Sequence, residues 1–142
     1  MRSRAARLVP ALVAALLASC GGDDATSPRS YVGTYTLSTL NGSPPPVTVY
    51  DTGTERIVVQ SGRIVLSPSK AVTVEFTVLV GAQGLPAFPQ TATCSGTYQV
   101  SAPAITLDLQ PGAFCPSGSY RGTLTGNTLT LTLDQFTAVY RK

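Results

Sequence analysis

A two-residue alternation of apolar and polar side chains recurs along this chain, and no window of useful length has the i, i+3, i+4, i+7 spacing of an amphipathic helix. A period of two describes a strand with one face on a core and the other in water. The clearest run is Ala71 to Val80, where Val72, Val74, Phe76, Val78 and Val80 share one face and Thr73, Glu75 and Thr77 the other. Ile105, Leu107 and Leu109 alternate with Thr106 and Asp108, and Leu129, Leu131 and Leu133 with Thr128, Thr130 and Thr132. The chain therefore reads as all-β.

Register is testable at this level, because a two-residue hairpin sets its flanking positions opposite one another and should bring like faces together. With Gly126-Asn127 as the loop, Leu124 faces Leu129, Gly122 faces Leu131 and Tyr120 faces Leu133. Ser61-Gly62 as a loop sets Val59 against Ile64 and Ile57 against Leu66. A connection at Ser101–Ala104 sets Val100 against Ile105 and Tyr98 against Leu107, and a bend at Asp134-Gln135 sets Leu133 against Phe136 and Leu131 against Ala138. These agreements predict an antiparallel up-and-down meander of about eight to ten strands, and closure into a barrel is the solution that leaves no edge. The Asn41-Gly42-Ser43-Pro44-Pro45-Pro46 run is expected as a rim loop, since consecutive prolines cannot serve a central ladder. Gly33-Thr34-Tyr35, Gly96-Thr97-Tyr98 and the looser Gly118-Ser119-Tyr120 echo one another, with glycine expected at a bend or close backbone approach and tyrosine plugging a barrel end.

The first residues carry a different message. Arg2, Arg4 and Arg7 precede an apolar run from Leu8 to Leu17, and Ala18-Ser19-Cys20 follows. A basic start, an apolar middle too short to span a bilayer and small residues before a cleavage point describe a secretory signal. Leu17-Ala18-Ser19-Cys20 closely resembles the lipobox of bacterial lipoproteins. That resemblance implies a signal peptide over residues 1–19 and a mature chain that begins at Cys20, lipid-modified by fatty acyl chains such as palmitate. Residues 20–30 would be the lipidated cysteine and a flexible tether, small and polar from Gly21 to Ser30. Residues 31–142 form a single all-β domain, since the mature chain is long enough for one core and too short for two. The aspartate that retains many such lipoproteins at the inner membrane is replaced by Gly21. The expected location is therefore the cell envelope, at the periplasmic or surface face of the outer membrane.

A second resemblance rests on Gly33-Thr34-Tyr35 opening the first strand, followed by an Asn41-Gly42 loop. This arrangement looks like the lipocalin-like and META-type domains of bacterial envelope lipoproteins, with Tyr35 where lipocalins carry tryptophan. The resemblance implies a lipocalin-like barrel in which an arginine near the last strand packs across the opening ring. Here those residues would be Arg141 and Tyr35, as a cation–π pair.

Charge and chemistry exclude several function classes. Three of the ten basic residues are Arg2, Arg4 and Arg7, which leaves seven basic against seven acidic side chains in the mature chain. A neutral domain lacks the basic stripe that nucleic acid requires. The chain has no histidine, so the usual serine or cysteine triads, a histidine base and the common zinc sites are absent. Asp51, Glu55, Glu75, Asp108 and Asp134 are the carboxylates of the domain, and solvated strand faces and turns account for them. No metal or cofactor is implied. With Cys20 assigned to the lipid, Cys94 and Cys115 remain as a disulfide pair in an oxidising compartment; two free thiols or a soft-metal site is the competing reading. The bridge would close a loop of about 22 residues and add roughly 3 kcal/mol in the chain-entropy model.

Two functions follow. The first is a non-catalytic envelope lipoprotein, a structural or interaction domain tethered to the membrane through its lipid anchor. The alternative is a binding module that holds a small apolar ligand or lipid inside the barrel, lined by Tyr35, Phe76, Tyr98, Leu107 and Tyr140. A filled interior favours the first and a ligand-sized void the second.

Overall fold

A computed structural model describes residues 31–115 and 117–142. The expected signal peptide, Cys20 and the tether lie outside the described residues. Nine strands follow one another: β1 (Gly33–Leu40), β2 (Val47–Asp51), β3 (Glu55–Leu66), β4 (Ala71–Ala82), β5 (Phe88–Ser101), β6 (Ala104–Leu109), β7 (Gly118–Thr125), β8 (Thr128–Leu133) and β9 (Phe136–Arg141). From β3 to β9 each strand pairs antiparallel with the next, and β1 pairs with both β9 and β3. The result is a closed up-and-down barrel of eight strands, of the lipocalin-like kind, with β2 as an extra strand on β3.

Closure falls to β1 alone. Its first half pairs with the end of β3, from Gly33 opposite Leu66 to Thr36 opposite Arg63. Its second half swings onto β9, from Thr36 opposite Arg141 to Leu40 opposite Ala138, with a bulge between Leu37 and Thr39. The edge of β3 that β1 abandons is taken up by β2, with Val47 opposite Val59 and Asp51 opposite Arg56. Between them, residues 41–46 form the expected proline-rich rim loop, where Asn41 Oδ1 accepts the Thr137 amide at 2.8 Å.

Three of the four hairpin registers hold. Leu124 pairs with Leu129 and Gly122 with Leu131. Val100 pairs with Ile105 and Tyr98 with Leu107. Leu133 pairs with Phe136 and Leu131 with Ala138. The fourth does not exist: Ser61 and Gly62 lie inside the continuous strand β3, at a bulge between Val59 and Ser61. A hairpin with two loop residues and a one-residue bulge both move the apolar set from odd to even positions. Ile57 and Val59 before it and Ile64 and Leu66 after it fit either event, so the pattern alone does not separate them.

Inward residues are apolar and outward ones are mainly polar, the inverse of a transmembrane barrel. On the outside, Arg63 pairs with Glu75 at 2.9 Å and Thr77 hydrogen-bonds Thr91 at 2.9 Å across neighbouring strands. Inside, Tyr35, Tyr98, Ile64, Leu66, Val72, Ile105 and Leu129 are all essentially inaccessible. They fill the end of the barrel that also carries the β3–β4, β5–β6 and β7–β8 turns. There the Tyr35 hydroxyl donates to the Tyr31 carbonyl and the Tyr98 hydroxyl to the Ser67 carbonyl, both at 2.7 Å. Tyr31 and Tyr98 meet edge to face at 6.1 Å, and Lys70 Nζ lies 5.1 and 5.4 Å from their ring centroids while donating to the Tyr31 hydroxyl at 2.9 Å.

The cation that caps this end is thus Lys70, not Arg141. Arg141 follows the inward Tyr140, so strand parity turns it outward, opposite Thr36 and Thr128, and the expected Arg141–Tyr35 contact is absent. The Gly-Thr-Tyr echo has its structural meaning. A Cβ at Gly96 would collide with the Asp108 carbonyl, so the backbone approaches there as only glycine allows, and two residues on Tyr98 plugs the barrel.

Cys94 and Cys115 are bridged, with 5.5 Å between their Cα atoms. Cys94 points inward from β5 and Cys115 belongs to the loop between β6 and β7, so the bond fastens that loop to the wall. Replacing both cysteines by serine should lower stability by about 3 kcal/mol through the freed 22-residue loop of the unfolded chain, roughly 12 °C or more in melting temperature. Thermal denaturation of the two proteins without reductant measures this, and equal melting temperatures would remove the bridge from the stability of the fold.

Candidate functional site

The opposite end of the barrel is hollow. A cavity of about 400 Å³ occupies it, bounded by inward side chains from every strand of the wall. Leu37 and Leu40 come from β1, Val49 from β2, Val59, Ser61 and Gly62 from β3, and Val74, Phe76 and Val78 from β4. Cys94, Leu107 and Leu109 continue the ring, and Tyr120, Leu131, Leu133, Phe136, Ala138 and Tyr140 complete it.

Two local causes leave this end empty. At the packed end eight strands circle the core and large rings plug it. At the hollow end β1 has left β3, β2 stands in its place, and the wall gains a ninth strand; interior width grows with strand number. The wall there also carries short side chains. Ser61 and Gly62 follow the bulge, and a Cβ at Gly62 would already lie 3.2 Å from the Leu37 Cβ.

The lining contains no charged side chain, and its hydroxyl-bearing side chains are Ser61, Tyr120 and Tyr140. Burial pushes the Tyr140 hydroxyl up to about 12, so it is a neutral hydrogen-bond donor at any physiological pH. Among the described residues, no group of three His, Cys, Asp or Glu side chains is placed to hold a metal ion. The arrangement is suited to excluding water around hydrocarbon.

Of the five residues expected to line a cavity, Phe76, Leu107 and Tyr140 do so. Tyr35 and Tyr98 do not, because they lie in the packed end with exposures of 0% and 1% and their hydroxyls tied to backbone carbonyls. They share the inward parity of the others, and parity does not report height along the barrel. Val49, Val59, Leu133 and Phe136 were missed. The Val47, Val49 alternation was the available signal for β2, and it is short and follows three prolines.

Stability should differ between the two ends. Leu129 is fully buried at the packed end, and Leu129→Ala should cost about 3 kcal/mol; Leu133→Ala enlarges a void that already exists and should cost about 1 kcal/mol. Chemical denaturation of the two variants compares them, and equal costs would contradict a hollow end.

Alkaline pH gives a second check. Tyr140 is raised to about 12 by burial, and Tyr35 and Tyr98 are raised in the same direction, chiefly by burial. A raised folded-state value means the unfolded chain loses its proton first. The stability contribution is complete below the ordinary tyrosine value near 10 and falls as pH rises toward the folded value. Tyr140 alone should account for a loss of about 3 kcal/mol between pH ~10 and ~12. Denaturation midpoints across that range should decline in the parent and decline less in Tyr140→Phe.

Neither a protein-family model nor a curated protein matches this chain.

Proposed function

We propose that this protein is a non-catalytic envelope lipoprotein, held at the outer membrane through acylated Cys20, whose barrel binds one small apolar ligand in its hollow end. The observation that carries this reading is the apolar cavity of about 400 Å³. Ligand sites are concave, largely apolar and a few hundred Å³ in volume, whereas a barrel serving only as structure would have its interior filled. At roughly 30 Å³ for each heavy atom, the share of a water molecule in the liquid, the space accommodates about a dozen carbons. A charged headgroup would meet no partner inside and would have to stay at the mouth. The non-catalytic part of the reading rests on the histidine-free sequence and on a lining without reactive groups.

The test has two parts. Mass spectrometry of the membrane-extracted protein should find the acyl mass on Cys20 and a co-purifying apolar molecule. Titration with fatty acids and neutral alkyl probes of about ten to fourteen carbons should give saturable, one-to-one binding that Phe76→Trp weakens at least about tenfold, since the larger ring enters the cavity. Thr125→Trp, at an exposed turn of the packed end, should leave the affinity unchanged. No saturable binding of any probe would overturn the ligand reading in favour of a structural barrel, and an unmodified Cys20 would overturn the anchor.

A further inference from the structure

We infer that the mouth of this barrel docks on a lipid bilayer, so that the cavity opens toward hydrocarbon and not toward bulk water. This rests on the ligand-binding reading for its purpose but not for its geometry. The exposed large apolar side chains among the described residues are Tyr50, Leu85, Phe88 and Phe114, at 46%, 69%, 56% and 65% exposure. All four surround the mouth. Tyr50 adjoins the cavity-lining Val49, and Phe88 pairs with Val80, two residues beyond the lining Val78. Leu85 lies in the turn between β4 and β5, and Phe114 immediately precedes Cys115, which is bonded to the lining Cys94. The packed end carries none.

Leu85, Phe88 and Phe114 stand on two prongs, the β4–β5 turn and the β6–β7 loop, that carry no charge, whereas Tyr50 stands on β2 next to a turn that carries Asp51, Glu55 and Arg56. No Asp, Glu, Lys or Arg occurs between Glu75 and Asp108, or between Asp108 and Arg121. A protein partner would be met by an apolar centre with a polar, ion-pairing rim. A bilayer needs the opposite, because each charge carried toward hydrocarbon is costly. The prong backbone suits the same surface. Pro86, Pro89 and Pro111 have no amide hydrogen, and the Gln83, Leu85 and Cys115 amides are bonded within the protein, at 2.7, 3.0 and 3.1 Å.

Phe114 is the strongest single indication. A bulky residue at φ +60° is strained, and the Gly112–Cys115 bridge and the disulfide hold it there with its ring in solvent. Tyr50, beside the Asp51–Arg56 ion pair, matches the headgroup level where tyrosine side chains accumulate. Between these side chains the apolar lining of the cavity continues the apolar surface of the prongs, so an acyl chain could pass from bilayer to barrel without crossing water.

The chain has no tryptophan, so a single introduced one reports its own surroundings. The mature chain, residues 20–142 carrying Cys20→Ser so that neither the apolar leader nor an acyl anchor is present, should be mixed with phosphatidylcholine vesicles whose acyl chains are brominated. Phe88→Trp and Phe114→Trp emission should be quenched, and Thr125→Trp emission, from the packed end, should not. Leu85→Asp combined with Phe88→Asp should reduce the quenching of Phe114→Trp by at least about tenfold in vesicle affinity, and anionic lipid or salt should change it little. Quenching confined to Thr125→Trp, no quenching at any position, or binding that needs anionic lipid would each overturn the proposal. So would burial of Phe114→Trp that rises with protein concentration in the absence of vesicles, which would identify a second copy as the occupant. Mouth quenching without saturable binding of any alkyl probe would retain the bilayer contact and remove the ligand reading.

Discussion

β1 is the strand on which the rest of the structure depends, because it alone hydrogen-bonds to both ends of the meander. Without its pairing to β3 and β9, the sheet would expose two long edges and one apolar face, and every inward residue would lose the opposite wall that buries it. The strand meets both partners only by dividing its length between them, four residues on β3 and the remainder on β9. That division has a geometric consequence. Where β1 leaves β3 a strand's width of wall is missing, and β2 supplies it.

The two ends of the barrel follow from this one arrangement. At the end where β1 lies on β3, eight strands enclose a space that Tyr35, Tyr98 and the aliphatic core fill completely, and Lys70 seals it over Tyr31 and Tyr98. At the end where β2 intervenes, the ring is wider, the inward residues include the small pair at the β3 bulge, and a cavity remains. The disulfide lies in that weaker half. It fastens the β6–β7 loop to β5 where β5 runs past the end of β6, a place with no ladder to hold it. The chain thus concentrates noncovalent packing at one end and uses a covalent bond to support the other.

Much of the fold was legible because alternation and turn chemistry are local. Leu129, Leu131 and Leu133 against their threonines, with Gly126-Asn127 beside them, specify a hairpin and its register without reference to the rest of the protein, and so do the pairs around Ala102-Pro103 and Asp134-Gln135. The misreading at Ser61-Gly62 has an equally local origin, since a hairpin and a bulge shift parity alike. What separates them is whether the chain reverses direction, and that is set by distant partners: β1 and β2 on one side of β3, and β4 along its whole length.

The candidate site was legible in chemistry and not in position. Composition and parity identified an apolar, histidine-free interior and named Phe76, Leu107 and Tyr140 among its lining, while placing Tyr35 and Tyr98 beside them. The sequence by itself determined the inward face of the strands that alternate cleanly, the tight turns at Gly126-Asn127, Ala102-Pro103 and Asp134-Gln135, and that Cys94 and Cys115 are the two cysteines of the domain. Tertiary structure alone decided how high along the barrel each inward residue lies, where the wall widens, and hence that the interior is solid around Tyr98 and hollow around Phe76. The reason is physical: the side a residue faces follows from its own two neighbours, whereas the space in front of it depends on strands that the sequence places up to a hundred residues away.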